Sequence, residues 1–175
     1  VVADKFEKHP EAERAAVAEA VGVGSVRYAD LSQNPQSDVI FDWDRMLSHD
    51  GNTAVFLLYS NARCFSILRR AELALDAVDL SQARPTDKAE VELVLALARL
   101  PEVVGIALNS HRPNLLCDQL FDIAQKLNRF YFSCPVLKDG VPDDVRASRL
   151  AIVALTARTL TRGLGILGIP VLERM

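Results

Sequence analysis

The chain has 175 residues, half of them hydrophobic and a quarter charged, with a formal net charge of −3 at pH 7. That length suits one domain, or two at most, with a real buried core, and the balance is that of an ordinary soluble globular protein. No apolar run approaches the roughly 20 residues needed to span a bilayer, and no signal peptide is visible.

Ala, Leu, Arg and Glu are abundant, and there are only 8 Gly and 8 Pro, so a mostly helical chain is expected. The first residues, Val1-Val2 in place of Met, are those expected of a fragment or a processed product. Pro10 to Val21 reads as a first helix: Pro suits its first turn, Glu11 and Glu13 favour its positive end, and Gly22 can stop it. A second, short helix is expected from Gly24 to Leu31. The polar run Ser32 to Asp38 breaks it. Val39-Ile40-Phe41 is a short apolar link, and Phe41 to Leu47 makes a helical turn around Trp43, the only tryptophan.

A long helix is expected from Asn52 to Ala77, followed by a connector from Asp79 to Thr86. Thr86 reads as the N-cap of a helix from Asp87 to Leu100. Pro101 restarts a helix to Leu108. Pro113 starts another, with Leu116, Leu120, Ile123, Leu127 and Phe130 at core spacing, ending near Phe132. Cys134 to Gly140 is a turn-rich loop. Asp143 or Asp144 caps the last helix, which runs to about Leu167, and Gly163, Gly165 and Gly168 loosen its end. No convincing strand and no repeat occurs. The expected fold is all-α, an antiparallel bundle of about six to eight helices.

Charge is unevenly placed. Residues 1–50 carry 5 Lys/Arg against 10 Asp/Glu, residues 51–100 carry 6 against 6, and residues 101–175 carry 9 against 7. This permits an RNA-facing side without demonstrating one. Cys64, Cys117 and Cys134 have no Cys or His at metal-ligand spacing, and their odd number argues against a disulfide framework. They read as buried free thiols in a reducing compartment, which makes the cytoplasm the expected location.

The run Gly51 to Arg70 carries the most information. Asn52, Phe56, Tyr59, Arg63, Ser66 and Arg70 are spaced to share one helical stripe, with Ala54, Leu58, Phe65 and Leu68 roughly opposite. The stripe mixes two rings with two guanidinium groups and contains no Asp or Glu. Rings give flat faces on which unpaired bases stack, and guanidinium groups meet phosphates or stack on bases. Spacing alone favours the plainer reading, a second core contact with arginines solvated at its edge, because such stripes are common on amphipathic helices.

Catalytic candidates are few. His9, His49 and His111 are isolated and read as surface or capping histidines. Gly22-Val23-Gly24, followed by Ser-Val-Arg, matches no nucleotide fingerprint. Asp42/Asp44 and Asp143/Asp144 read as helix-entry acids. Neither a catalytic residue nor a metal ligand is expected.

Gly51-Asn52-Thr53-Ala54, then Phe56-Leu57-Leu58-Tyr59 and Ala62-Arg63, resembles the start of the anticodon-binding domain of arginyl-tRNA synthetases. Two further blocks agree in order. Val26 to Ser32, with Phe41-Asp42-Trp43-Asp44, is similar to the stretch joining the catalytic domain to that bundle. Arg129-Phe130-Tyr131, Cys134 to Leu137, Arg149-Leu150-Ala151, Leu167-Gly168-Ile169 and the final Glu173-Arg174-Met175 resemble the family's C-terminal end. The resemblance covers nearly the whole chain.

It implies residues 1–48 as connector helices after a catalytic domain that precedes Val1, and residues 49–175 as the anticodon-binding bundle. It implies a parent ligase that attaches arginine to tRNA with ATP and Mg, and a fragment that itself holds no cofactor and is inactive. The implied partner is arginine tRNA, with no DNA or membrane partner, and a monomer is expected. Carried over by position, the implied RNA contacts are Phe56, Tyr59, Arg69, Tyr131 and Met175; Arg63 and Arg70 join them from stripe geometry. The sequence departs from the family at Phe56, where Tyr is usual, and at Cys64-Phe65, where a further Arg is common. Two alternatives remain open at this level: the equivalent domain of another class I synthetase, such as the cysteine enzyme, and a helical protein-interaction module without an RNA role.

Overall fold

A computed structural model describes residues 11–38 and 42–174. The expected roles of His9, Pro10, the 39–41 link and Met175 lie outside these residues. Six α-helices are present among the described residues: α1 (Glu11–Leu31), α2 (Trp43–Met46), α3 (Ala54–Arg70), α4 (Lys88–Ser110), α5 (Asn114–Ser133) and α6 (Asp143–Ile166). Two short 3₁₀ turns, Leu75–Ala77 and Leu80–Gln82, lie between α3 and α4, and no strand occurs among the described residues. The all-α bundle is as expected.

The core is one cluster. α3 supplies Leu57, Leu58, Cys64 and Leu68, α5 supplies Leu120, Ile123, Leu127 and Phe130, and α6 supplies Ile152, Ala157, Leu160 and Leu164. α4 packs most extensively on α5, α3 lies against α6, and α1 closes over α3 and α5. No described helix is long and apolar enough to cross a membrane. All three cysteines are free and buried. Burial pushes the Cys64 and Cys117 thiols up to about 12 and Cys134 up to about 11, which makes them poor nucleophiles.

Several helix boundaries differ from the sequence expectation, each for a physical reason. α1 does not stop at Gly22. It runs unbroken to Leu31. Gly24 is buried, and a Cβ there would lie 3.1 Å from Ile169 Cγ2, so this glycine admits the chain's tail against the helix. α3 ends at Arg70, not Ala77. The segment Ala71 to Ala77 has good helix propensity, but Glu72 adopts φ 57° and the chain reverses. The Leu73 N–H donates to Leu68 O and the Glu72 N–H to Arg69 O, both at 3.0 Å. Leu73, Leu75, Val78 and Leu80 then pack onto the core, burial that a straight helix would forgo.

The N-cap of α4 is Asp87, not Thr86. Asp87 accepts from Ala89 N, and Glu90 reaches back to the Thr86 and Asp87 N–H groups at 2.9 and 3.2 Å. Pro101 does not restart a helix. α4 passes through it to Ser110. Pro101 is solvent-exposed, and the extensive α4–α5 packing outweighs its lost hydrogen bond. α6 is capped by neither Asp143 nor Asp144; both lie in its first turn, beside the positive helix end, after Pro142.

Gly163 was expected to loosen α6, yet it is a packing residue. A Cβ there would fall 2.3 Å from Leu120 Cδ2, with Cδ1 at 3.1 Å and Cγ at 3.2 Å. Gly163→Val is therefore expected to destabilise the bundle by about 1–3 kcal/mol through overpacking. The denaturation midpoint measures this. The penalty should shrink in a Leu120→Ala background, where the opposing methyls are absent.

Candidate nucleic-acid interface

The start of α3 is built by the three residues that precede it. Gly51 takes φ +90° to turn the chain. Thr53 caps the helix, its Oγ1 accepting from Phe56 N at 3.2 Å and donating to Ser48 O at 2.8 Å. Asn52 is the bridge. Its Oδ1 accepts from the Tyr28 hydroxyl at 2.5 Å, and its Nδ2 donates to Asp118 Oδ1 at 3.2 Å. The Tyr28 hydroxyl also lies 3.0 Å from Cys117 O. One side-chain network therefore ties α1, α3 and α5. Burial pushes the Tyr28 hydroxyl far up, so it stays a donor. Burial also raises the Asp118 carboxyl, against the lowering effect of Asn52.

With that end anchored, the α3 stripe faces outward beside the end of α5. Tyr59 is 45% exposed and Tyr131 38% exposed. The Arg63 guanidinium lies over both rings, its Cζ 4.9 Å from the Tyr59 centroid and 4.6 Å from that of Tyr131. Arg63 Nη1 also donates to Asn128 Oδ1 at 2.6 Å. The fold thus brings Tyr59, Arg63 and Tyr131 into one cluster, although Tyr131 is 72 residues beyond Tyr59 in the chain. Phe132, 74% exposed, continues the apolar surface, with its ring edge-to-face to Tyr131 at 5.6 Å.

The other expected residues are placed differently. Phe56 is half-buried, and its ring packs edge-to-face on Phe121 with centroids 5.6 Å apart. Arg69 is exposed, and its Nη1 donates to the Glu173 carbonyl at 2.8 Å, so it holds the tail of the chain against the end of α3. Arg70 is exposed in the last turn of α3. Met175 lies outside the described residues. The alternative of a purely internal contact fits Phe56 but not Tyr59, which lies open to solvent.

Sequence reasoning missed Asn128 and Phe121. Each carries a weak signal: Asn128 is one turn before Tyr131 on the same helix, and Phe121 lies on the 3–4 spacing of α5 outside its main apolar stripe. Nothing in the spacing alone pairs either with α3.

Chemically, the cluster offers exposed ring faces and a guanidinium, a combination suited to stacking unpaired bases. Catalysis has no such support. His49 is exposed, and His111 is the exposed left-handed C-cap of α4. Among the described residues no group of three or more His, Cys, Asp or Glu side chains is placed to hold a metal ion.

Comparison with known proteins identifies the family of the chain. A family profile described as the DALR anticodon binding domain matches residues 57–175. The arginine–tRNA ligase of Fusobacterium nucleatum subsp. nucleatum is 44% identical over 176 residues, covering 100% of this chain and 31% of that protein. That of Chloroflexus aggregans is 47% identical over 169 residues, covering 95% and 29%. Among solved structures, Thermus thermophilus arginyl-tRNA synthetase superposes with a TM-score of 0.85 at 34% identity, over 99% of this chain and 29% of that one. The Plasmodium falciparum arginyl-tRNA synthetase gives 0.84 at 25% identity, over 99% and 30%. The chain thus spans about three tenths of the length of the curated relatives it matches. The matched region contains α4 to α6 and all of α3 beyond its first three residues, including the Tyr59–Arg63–Tyr131 cluster. The chain belongs to the DALR anticodon-binding domain family.

Proposed function

We propose that this chain binds the anticodon stem-loop of arginine tRNA, as the anticodon-binding bundle of an arginine–tRNA ligase that uses ATP and Mg in a separate catalytic domain. The observation that carries the reading is the convergence of the exposed Tyr59 and Tyr131 rings on Arg63, inside the region matched by the anticodon-binding family. Splayed bases stack on the rings, and single-stranded loops are where a protein reads RNA sequence. Exposed arginines near the cluster's elements, Arg70 and Arg129, supply phosphate contacts. Met175 is assigned to the same RNA contact from the family resemblance alone. Phe56 supports the site through Phe121 and offers its remaining surface to the RNA.

In this reading residues 49–175 form the binding bundle and residues 1–48 the connector to the catalytic domain. The parent works as a monomer in the cytoplasm, with tRNA as its nucleic-acid partner.

The test is binding of the 175-residue chain to tRNA transcripts carrying arginine and non-arginine anticodons. Tighter binding to the arginine transcripts is expected, and affinity that falls steeply with salt. Equal affinity for all transcripts overturns specific reading. Loss of the salt dependence overturns the phosphate contacts.

A further inference from the structure

Arg63 joins the expected RNA contacts from stripe geometry, and its guanidinium is already engaged on a ring-lined edge. It lies over Tyr59 and Tyr131, and one of its N–H groups is held by Asn128 at 2.6 Å. Arg63 is the hub on which the other three side chains converge. Tyr59 and Arg63 are one turn apart on α3, and Asn128 and Tyr131 one turn apart on α5. Ring contacts alone leave a guanidinium free to slide and rotate in its plane, because attraction to a ring face has little in-plane directionality. A single directional acceptor at the guanidinium edge removes that freedom. Asn128 is the acceptor recorded there. Asn128 is half-buried and carries no charge, so it holds the guanidinium without neutralising it.

We propose that Asn128 is the positioning residue of this site: it latches Arg63 over both rings and so fixes the two outward ring faces relative to each other before RNA arrives. The inference rests on the RNA-binding reading for its purpose, but the latch itself is independent of it. Latched, Arg63 is a stacking spacer and not a phosphate ligand. Released, it becomes a mobile surface cation able to pair with a phosphate.

Two measurements decide this. In the free 175-residue chain, the Arg63 side-chain resonances in NMR should be displaced upfield by the two rings. Asn128→Leu should return them toward solvent values, and Asn128→Asp, which keeps an acceptor, should restore the displacement. Displacement unchanged in Asn128→Leu overturns the latch, whatever the chain binds. Asn128→Ala serves in its place if Asn128→Leu shows a lowered melting temperature. In the second measurement, an arginine tRNA transcript is titrated with the wild type and Asn128→Leu. The variant should bind about two- to fivefold more weakly, the scale of one exposed cation–ring contact that must re-form on binding. Its log K against log salt slope should steepen by about 0.7, as the freed Arg63 takes up one phosphate of a single strand. Unchanged affinity and slope overturn the positioning role. A shallower slope overturns it as well, since it means that the latched Arg63 already contacts phosphate. Failure of the wild type to discriminate anticodons would instead count against the tRNA reading, and the NMR result would still decide the latch.

Discussion

Glu90→Ala is expected to destabilise the bundle by about 3–5 kcal/mol, the cost of removing one partner of a buried ion pair. Glu90 is only 1% exposed. Its Oε1 accepts from Arg149 Nε at 2.7 Å while Oε2 accepts the Thr86 and Asp87 N–H groups. Arg149 in turn donates to Pro135 O at 2.8 Å. One carboxylate therefore closes the N-terminus of α4, anchors α6, and through Arg149 fixes the loop that follows α5. The variant leaves Arg149 without its counter-charge and two helix-entry N–H groups without an acceptor. Chemical denaturation measures the loss.

The same carboxylate sets a pH dependence. Burial alone raises its pKa, but the Thr86 N–H, Arg149 and the Asp87 N–H outweigh burial and hold it below the ordinary value of 4.5. The folded value lies below the unfolded one. The stabilisation is thus fully present above about pH 4.5 and is lost as pH falls through the folded pKa. Glu90→Gln, which does not titrate, should flatten the acid side of the stability profile. An acid limb equal to that of the wild type would show that other carboxylates carry it.

The second large effect concerns binding. Replacing both Tyr59 and Tyr131 by Ala is expected to weaken binding to an arginine tRNA transcript by about 2–6 kcal/mol, at about 1–3 kcal/mol per stacked base. The sum of the single-variant losses should differ from the loss in the double variant, because both rings share Arg63. Residues that share a partner couple by about 0.5–3 kcal/mol. The isotherms of the two single variants and the double variant give that coupling directly. Additive losses would mean that the rings act as separate platforms. Full binding by the double variant would remove the cluster from the interface. Because Tyr59 and Tyr131 are exposed, the losses should come with little change in melting temperature.

Much of the fold was legible before the structure. The 3–4 spacing of α5 from Leu116 to Phe130 predicted its buried face, since periodicity reports directly on which side can be dehydrated. The stripe on α3 was legible for the same reason, and Tyr59 does face solvent. Helix ends were less legible. Glu72 and His111 adopt left-handed backbone although neither is a glycine, so neither stop advertises itself. Pro101 and Gly22 do advertise stops, and both are overruled by packing against neighbouring helices. Local propensity is worth about 1 kcal/mol at a glycine and about 3 at a proline, less than a helix gains by burying a full apolar face.

At the candidate site, residue identity was legible and pairing was not. The sequence by itself determined an all-α chain, a single helical stripe carrying Tyr59 and Arg63, and, by its ordered blocks, the family. Only the tertiary structure decided that Tyr131 meets Arg63, that Asn128 holds it, that Phe56 turns to Phe121 and that Arg69 binds the tail carbonyl. Periodicity assigns a residue to a face of its own helix. Which faces meet depends on how α3, α5 and α6 interlock, down to single contacts such as Gly163 against Leu120, and that information is spread over the whole core.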